Sequence, residues 1–93
     1  MLDEDEMAKL FEDVEIEPGT RINLVFYKEI EGMPVRVEHW TWEHIDALSL
    51  ILRNEDADKM SDDELKALVD NSTGVTIKRK EYFTFVNFGF RLE

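Results

Sequence analysis

Apolar and polar residues alternate along two neighbouring segments, and this feature most narrows the folds open to the chain. Within residues 21–28 the apolar residues Ile22, Leu24 and Phe26 occupy every second position, and the alternation returns at Val35 and Val37 within residues 35–40. The intervening residues 29–34 contain a glycine and a proline and are short enough for a hairpin loop. We therefore predict that both segments are strands of an antiparallel sheet.

The segment before these strands has the period of a helix. Apolar residues recur at every third or fourth position of residues 4–13, and Asp3 with Glu6 can form a capping box at its start. Pro18 and Gly19 then break the chain ahead of the first strand. The sequence predicts a short acidic helix at about 4–13.

Helical spacing returns after the second strand. Apolar residues from Ile45 to Leu52 lie three or four positions apart, and the Thr41 hydroxyl can cap the first turn. Ser61 and Glu64 have the spacing of a second capping box, followed by another apolar face. We predict two helices in this part of the chain.

The last segment, residues 75–92, is rich in β-branched and aromatic residues, which favour strands. Its aromatic residues are out of phase for a flat strand, so we predict a bulge near Val86 and Asn87. Residues 78–82 contain no Asn-Gly or Asp-Gly turn, which leaves open whether the segment is a hairpin or one bent strand.

The predicted elements follow the order α-β-β-α-α-β-β. This order favours an α+β fold, in which a small antiparallel sheet of three to four strands carries two or three helices packed on one face. The 93 residues suffice for one domain, with an acidic N-terminal helix and connection at 1–17 and a main body at 18–93. We expect one buried cluster, made of Ile22, Leu24, Phe26, Val37, Ile45, Leu48, Leu52, Leu65, Leu68, Phe83 and Phe85.

The chain carries a large excess of negative charge, with 22 acidic against 11 basic residues and a net charge of −11. Such a charge repels nucleic acid and anionic membranes and attracts basic partners. No apolar run approaches the ~20 residues of a membrane span, and there is no cysteine for a disulfide or a thiolate metal site. We expect a cytoplasmic protein that binds neither nucleic acid nor membrane directly.

The acidic residues concentrate in residues 1–17 and 54–64. The leading hypothesis is a non-enzymatic regulatory protein that presents this surface to a basic protein, in its sharper form a nucleic-acid mimic of phage or plasmid type that inhibits a nucleic-acid-binding protein. Ordinary solubilising charge is the alternative reading of the same residues. The predicted partner-binding residues are Asp5, Glu12, Asp13, Asp56, Asp58, Asp62 and Asp63, together with Trp40 and Trp42.

Both histidines and both tryptophans of the chain fall within residues 39–44. An aromatic pair such as Trp40 and Trp42 at the end of a strand most often packs the sheet against the next element, and an exposed tryptophan can anchor a protein interface. His39 and His44 lack the i, i+4 spacing of a helical zinc site, and no third ligand is evident. The alternative function is a small-ligand or metal-binding domain, with or without enzymatic activity, at this junction.

Other motifs are incomplete. Asn54, Asp56 and Asp58 match the first ligands of an EF-hand loop, but Lys59 stands where the loop needs glycine and Leu65 where it needs glutamate. Residues 83–88 resemble the core of the RNP1 segment of RNA-recognition domains, without the basic residue and glycine that precede it there. No phosphate loop or nucleophile motif is present, so we predict no catalytic residues, no cofactor and no metal.

Overall fold

The computed structural model describes residues 2–69 and 74–91. Within these residues, five strands form one open antiparallel sheet in the order β1-β2-β3-β5-β4, and none of the helices is long and apolar enough to cross a membrane. The strands are β1 (Arg21–Ile30), β2 (Met33–Trp42), β3 (Ile45–Arg53), β4 (Val75–Arg79) and β5 (Phe83–Arg91). The helices are α1 (Glu4–Leu10), α2 (Asn54–Ala57) and α3 (Asp62–Lys66).

The first hairpin confirms the prediction from alternating residues. β1 and β2 pair antiparallel from Arg21 opposite Thr41 to Ile30 opposite Met33. The turn between them places Glu31 at φ 52° and Gly32 at φ 82°, and this left-handed backbone fits the twist of a two-residue hairpin. Both predicted capping boxes are also present, Asp3 with Glu6 on α1 and Ser61 with Glu64 on α3.

The helix predicted over Ile45 to Leu52 is wrong, because these residues form β3 in the middle of the sheet. β3 pairs with β2 on one side and with β5 on the other. Its neighbouring residues Ile51 and Leu52 are both fully buried although they point to opposite faces. A strand buried on both faces loses the alternation that identifies a half-buried strand, so its apolar residues mimic helical spacing.

The C-terminal segment is a hairpin, with β4 and β5 joined by a turn at residues 80–82. The bulge predicted near Val86 and Asn87 is wrong, since the pairing of β5 with β3 runs without a register shift. The irregularity lies in β1 instead, between Ile22 and Leu24. Residue 92, where the last strand was predicted to end, lies outside the described residues.

The predicted fold class is also wrong, both in the number of strands and in the placement of the helices. Strands make up 49% of the described residues and three short helices only ~19%, so this part of the protein is mainly a sheet with thin covering layers. The helices lie on both faces of this sheet. We name these the α1 face, which carries Ile51 and Phe85, and the α2–α3 face, which carries Leu52 and Val86.

The predicted single core is replaced by two clusters, one on each face. On the α1 face, Phe11 packs with Ile51 and Phe83. On the α2–α3 face the buried residues are Val35, Val37, Leu52, Ala57, Leu65, Val75 and Val86. Three residues predicted to be buried are exposed on the α2–α3 face, Leu24 at 55%, Phe26 at 40% and Leu48 at 44%, because α2 and α3 do not extend over that part of the sheet.

Candidate functional site

The acidic residues of the N-terminal segment remain open to solvent. Asp5 on α1, and Glu12 and Asp13 in the turn after it, are exposed. Within the described part of the chain, none of the three forms an ion pair. These side chains project uncompensated negative charge, as the sequence predicted for them.

The acidic residues near α2 and α3 are partly neutralised by two arginines. Arg53 holds Asp56, with 3.3 Å between Nη2 and Oδ2. Arg79 of β4 reaches Asp62 at 3.0 Å and Asp58 at 3.9 Å. Asp63 is exposed and forms no ion pair among the described residues. Charge in this segment is therefore lower than the local sequence indicates.

The two acidic segments meet at the end of the sheet where β3 stops and β5 begins. Asp13 from the N-terminal segment and Glu55 from α2 line one groove there, together with Arg53 and Tyr82. We name it the acidic groove; its lining is completed by Leu10, Asn54 and Phe83. Residues far apart in the sequence thus share one concave surface.

Asn54 fixes one wall of the acidic groove. Its backbone N–H donates to the Tyr82 carbonyl oxygen at 3.0 Å, and its side-chain amide donates to the carbonyl oxygens of Lys80 at 2.7 Å and Glu81 at 2.9 Å. Its amide oxygen accepts a hydrogen bond of 2.7 Å from the Thr84 hydroxyl. The start of α2 is thereby tied to the β4–β5 turn, which sets the position of Glu55 relative to Tyr82.

Phe11 fixes the opposite wall. Its ring stacks on Phe83 with 5.7 Å between ring centroids and lies 6.0 Å from the ring of Tyr27. Phe11 is only 1% exposed, so it anchors the end of α1 to the sheet. Asp13 follows two residues later and is held at the groove by this anchor.

The electrostatics of the acidic groove favour a cationic group. Asp13, Glu55 and the adjacent Asp56 supply three carboxylates against the one guanidinium of Arg53, which contacts Glu55 at 3.1 Å. Tyr82 is 67% exposed and offers a ring face beside these carboxylates. Carboxylates next to an aromatic ring can hold the side chain of a lysine or an arginine.

The junction residues do not join this groove. Trp40 is half-buried and Trp42 is 42% exposed, and both lie on the α1 face. His39 points to the α2–α3 face, where its Nε2 pairs with Asp46, and His44 is exposed in the β2–β3 turn. Among the described residues, no three histidine, aspartate or glutamate side chains are placed to hold a metal ion.

Sequence reasoning missed the groove residues Glu55 and Tyr82. Tyr82 lies in a turn without glycine, asparagine or proline, so no local pattern marked it as an exposed turn residue. The arginine partners were missed because Arg79 meets Asp58 and Asp62 only through the fold. No family model, curated protein or solved structure matches the chain.

Proposed function

We propose that the protein is a non-enzymatic regulatory protein that binds a basic protein through its acidic surface. The acidic groove receives a lysine or arginine side chain of that partner. The exposed acids of the N-terminal segment, among them Glu12 and Asp13, steer the encounter. The proposal keeps the cytoplasmic location that the sequence predicts.

One observation carries the proposal: Asp13 and Glu55, from separate segments, converge beside the exposed ring of Tyr82. Acidic residues that served only to keep the protein soluble would not need to lie together beside an exposed aromatic ring. A partner whose basic surface otherwise binds nucleic acid phosphates fits best, because that surface presents the arginines and lysines that these carboxylates attract. This is the nucleic-acid-mimic form of the proposal, and it makes the protein an inhibitor.

The test compares two double variants with the same net charge. One is Asp13→Asn with Glu55→Gln, in the acidic groove. The matched control is Glu31→Gln with Glu43→Gln, in hairpin turns that do not line the groove. Partners are captured from a lysate, identified, purified and titrated by calorimetry at several salt concentrations.

We expect the groove variant to weaken binding of the purified basic partner by about tenfold or more, because lost charge-assisted hydrogen bonds cost about 1.5–3 kcal/mol. The control variant should bind nearly as the wild type does, and affinity should fall as salt rises. Equal weakening by both variants would reduce the effect to net charge and remove the groove from the proposal. Unchanged binding in both, or binding independent of salt, would contradict the acidic-surface mechanism itself.

A further inference from the structure

A second concave site lies on the α1 face, away from the acidic groove. It is a cavity of about 270 Å³ between the sheet and residues 15–20, which connect α1 to β1. Its apolar walls come from Trp40, Trp42, Ile22, Ile45 and Phe85. We name it the tryptophan pocket. Its volume is slightly below the roughly 300–1,000 Å³ of typical small-molecule sites, which limits an occupant to about one ring system.

The floor of the tryptophan pocket is a polar row across three strands. Glu38 of β2, Ser49 of β3 and Asn87 of β5 lie side by side in register. The Trp40 Nε1–H donates to the Ser49 hydroxyl at 2.7 Å, and this hydroxyl donates to the Asn87 Oδ1 at 2.6 Å. The Asn87 amide nitrogen has no hydrogen bond to another described residue, so its two N–H donors remain for an occupant.

Glu38 supplies an acceptor at the other end of this row. It is only 4% exposed, and its Oε1 accepts a hydrogen bond of 2.7 Å from Arg36 Nε. Arg36 is held in turn by the Tyr27 hydroxyl at 2.9 Å. The other carboxylate oxygen, Oε2, has no hydrogen bond to a described residue. Among these residues every side-chain oxygen that is fully buried has a hydrogen-bond partner, so Oε2 is not fully buried. Because Glu38 lines the cavity, Oε2 can accept a hydrogen bond from an N–H group there.

The charges around the pocket balance, which selects against an ionic occupant. Glu15, Glu17 and Glu38 supply three carboxylates, while Lys78, Lys80 and Arg36 supply three cations in or beside the cavity. Lys80 already lies 3.5 Å from Glu17 and 4.9 Å from the centroid of the Phe85 ring. Glu15 and Lys78 form no ion pair among the described residues, but they carry one charge of each sign, so the cavity has no net charge to attract a cation or an anion.

We propose that the tryptophan pocket binds a neutral, flat lactam-type nitrogen heterocycle, the chemistry of a pyrimidine or purine base. The ring packs against the indoles and Phe85, an N–H of the ring donates to Glu38 Oε2, and a ring carbonyl accepts from the Asn87 amide. Glu38 and Asn87 are two strand spacings apart, roughly 9.6 Å between backbones, which leaves room for one ring between their side chains. Aromatic side chains stack on any base, so the hydrogen bonds to Glu38 and Asn87 determine which ring is bound.

The chain provides its own reporter, because both of its tryptophans line this pocket. Uridine and guanosine are titrated into the protein while tryptophan fluorescence and calorimetric heat are recorded. The matched probe is 3-methyluridine, which replaces the only ring N–H of uridine by a methyl group. We expect saturable binding of uridine or guanosine and binding of 3-methyluridine at least about tenfold weaker than that of uridine, since Glu38 Oε2 would lose its donor.

Three variants test the site: two locate the ligand and one tests its hydrogen bond to Glu38. Ile45→Phe fills the pocket from β3, and Leu48→Phe makes the same class of change on the opposite face of the same strand. Glu38→Gln keeps the side-chain shape and replaces the carboxylate acceptor. Binding should be lost in Ile45→Phe, retained in Leu48→Phe and weakened about tenfold in Glu38→Gln. If Glu38→Gln does not fold, the pair at Ile45 and Leu48 still decides the location.

The proposal is overturned if neither uridine nor guanosine changes the tryptophan fluorescence at concentrations up to about 10 mM. Binding that survives Ile45→Phe would place the ligand elsewhere. Equal affinity for uridine and 3-methyluridine would remove Glu38 from recognition. Benzoate or tetramethylammonium that bound more tightly than the nucleosides would show that the pocket prefers an ion, contrary to the charge balance.

Discussion

The two faces of the sheet are covered in different ways. On the α2–α3 face, the covering helices bury an apolar cluster against one half of the sheet and leave Leu24 and Leu48 exposed on the other. On the α1 face, the apolar contact is confined to the region around Phe11, and beyond it lies the polar row with a cavity above. One face thus supplies most of the packing, and the other combines packing with a site that can hold a ligand.

A covered face can include a row of polar side chains without destabilising the fold only if these side chains form hydrogen bonds. Ser49 is 1% exposed, and it both accepts from Trp40 and donates to Asn87. Arg36 neutralises Glu38 at its Oε1. Because unpaired buried polar groups cost about 1–3 kcal/mol each, these bonds allow the α1 face to include polar groups without losing stability. The remaining free donors and acceptor face the cavity, where a ligand or water can meet them.

The largest predicted effect tests whether the apolar clusters on both faces stabilise the fold. Ile51 and Leu52 are adjacent on β3, fully buried and directed to opposite faces. Each substitution to alanine should therefore lower the free energy of unfolding by about 2–5 kcal/mol, through lost burial and a residual cavity. Leu48→Ala on the same strand should cost under about 1 kcal/mol, because Leu48 is 44% exposed. Denaturant unfolding of the three variants measures these values.

An Ile51→Ala cost near that of Leu48→Ala would mean that the α1 layer does not stabilise the sheet. In that case only the cluster on the α2–α3 face would act as a stabilising core. Equal costs at Ile51 and Leu52 would instead show that the sheet depends on both layers.

The same double coverage explains what the sequence could and could not predict. The β1–β2 hairpin was predictable because β1 is an edge strand with many exposed residues, so its alternation survives. The capping boxes were predictable because each depends on residues three positions apart. β3 was not predictable, because neighbours such as Ile51 and Leu52 are both buried and the alternation is lost. The β2–β3 turn also contains no glycine that would mark it, and Glu43 adopts the left-handed φ of 51° there instead. Phe85 and Phe88 looked out of phase for the same reason, since β5 places them on opposite covered faces.

The sites were less predictable than the elements. Asp13 was named from the sequence and Glu55 was missed, because the two residues share one groove only through the stacking of Phe11 on Phe83. The tryptophan pocket gathers residues from the N-terminal connection and from all five strands among the described residues. Trp40 and Trp42 marked one side of it, whereas the polar floor at Glu38, Ser49 and Asn87 has no sequence signature.

A smaller predicted effect is the loss of stability when the N-terminal cap of α1 or of α3 is removed, one helix from each face of the sheet. Asp3 accepts from the Glu6 N–H at 2.8 Å on α1, and Ser61 accepts from the Glu64 N–H at 3.2 Å on α3. Substitution of either cap by alanine should cost about 0.5–2 kcal/mol, since each removes a side-chain acceptor from an otherwise unpaired backbone N–H. Thermal unfolding of Asp3→Ala and Ser61→Ala measures the two costs. A loss at Ser61 without one at Asp3 would show that α1 is held by its packing, including Met7 and Phe11, and that its cap contributes nothing.

The smallest predicted effect is the change in Tm when acidic residues are neutralised, and it differs between the two acidic segments. Glu12 and Asp13 have no ion-pair partner among the described residues, so Glu12→Gln with Asp13→Asn should relieve repulsion in a chain of net charge −11. Asp58 and Asp62 contact Arg79, so Asp58→Asn with Asp62→Asn removes the same charge but also breaks these contacts. The first double variant should raise the Tm by about 1–3 °C and the second should leave it unchanged or lower it slightly, because exposed ion pairs contribute little. Both differences should shrink at ~0.5 M NaCl, where screening is strong. If both variants raised the Tm equally, Arg79 would not neutralise its neighbours, and the two acidic segments would be electrostatically equivalent.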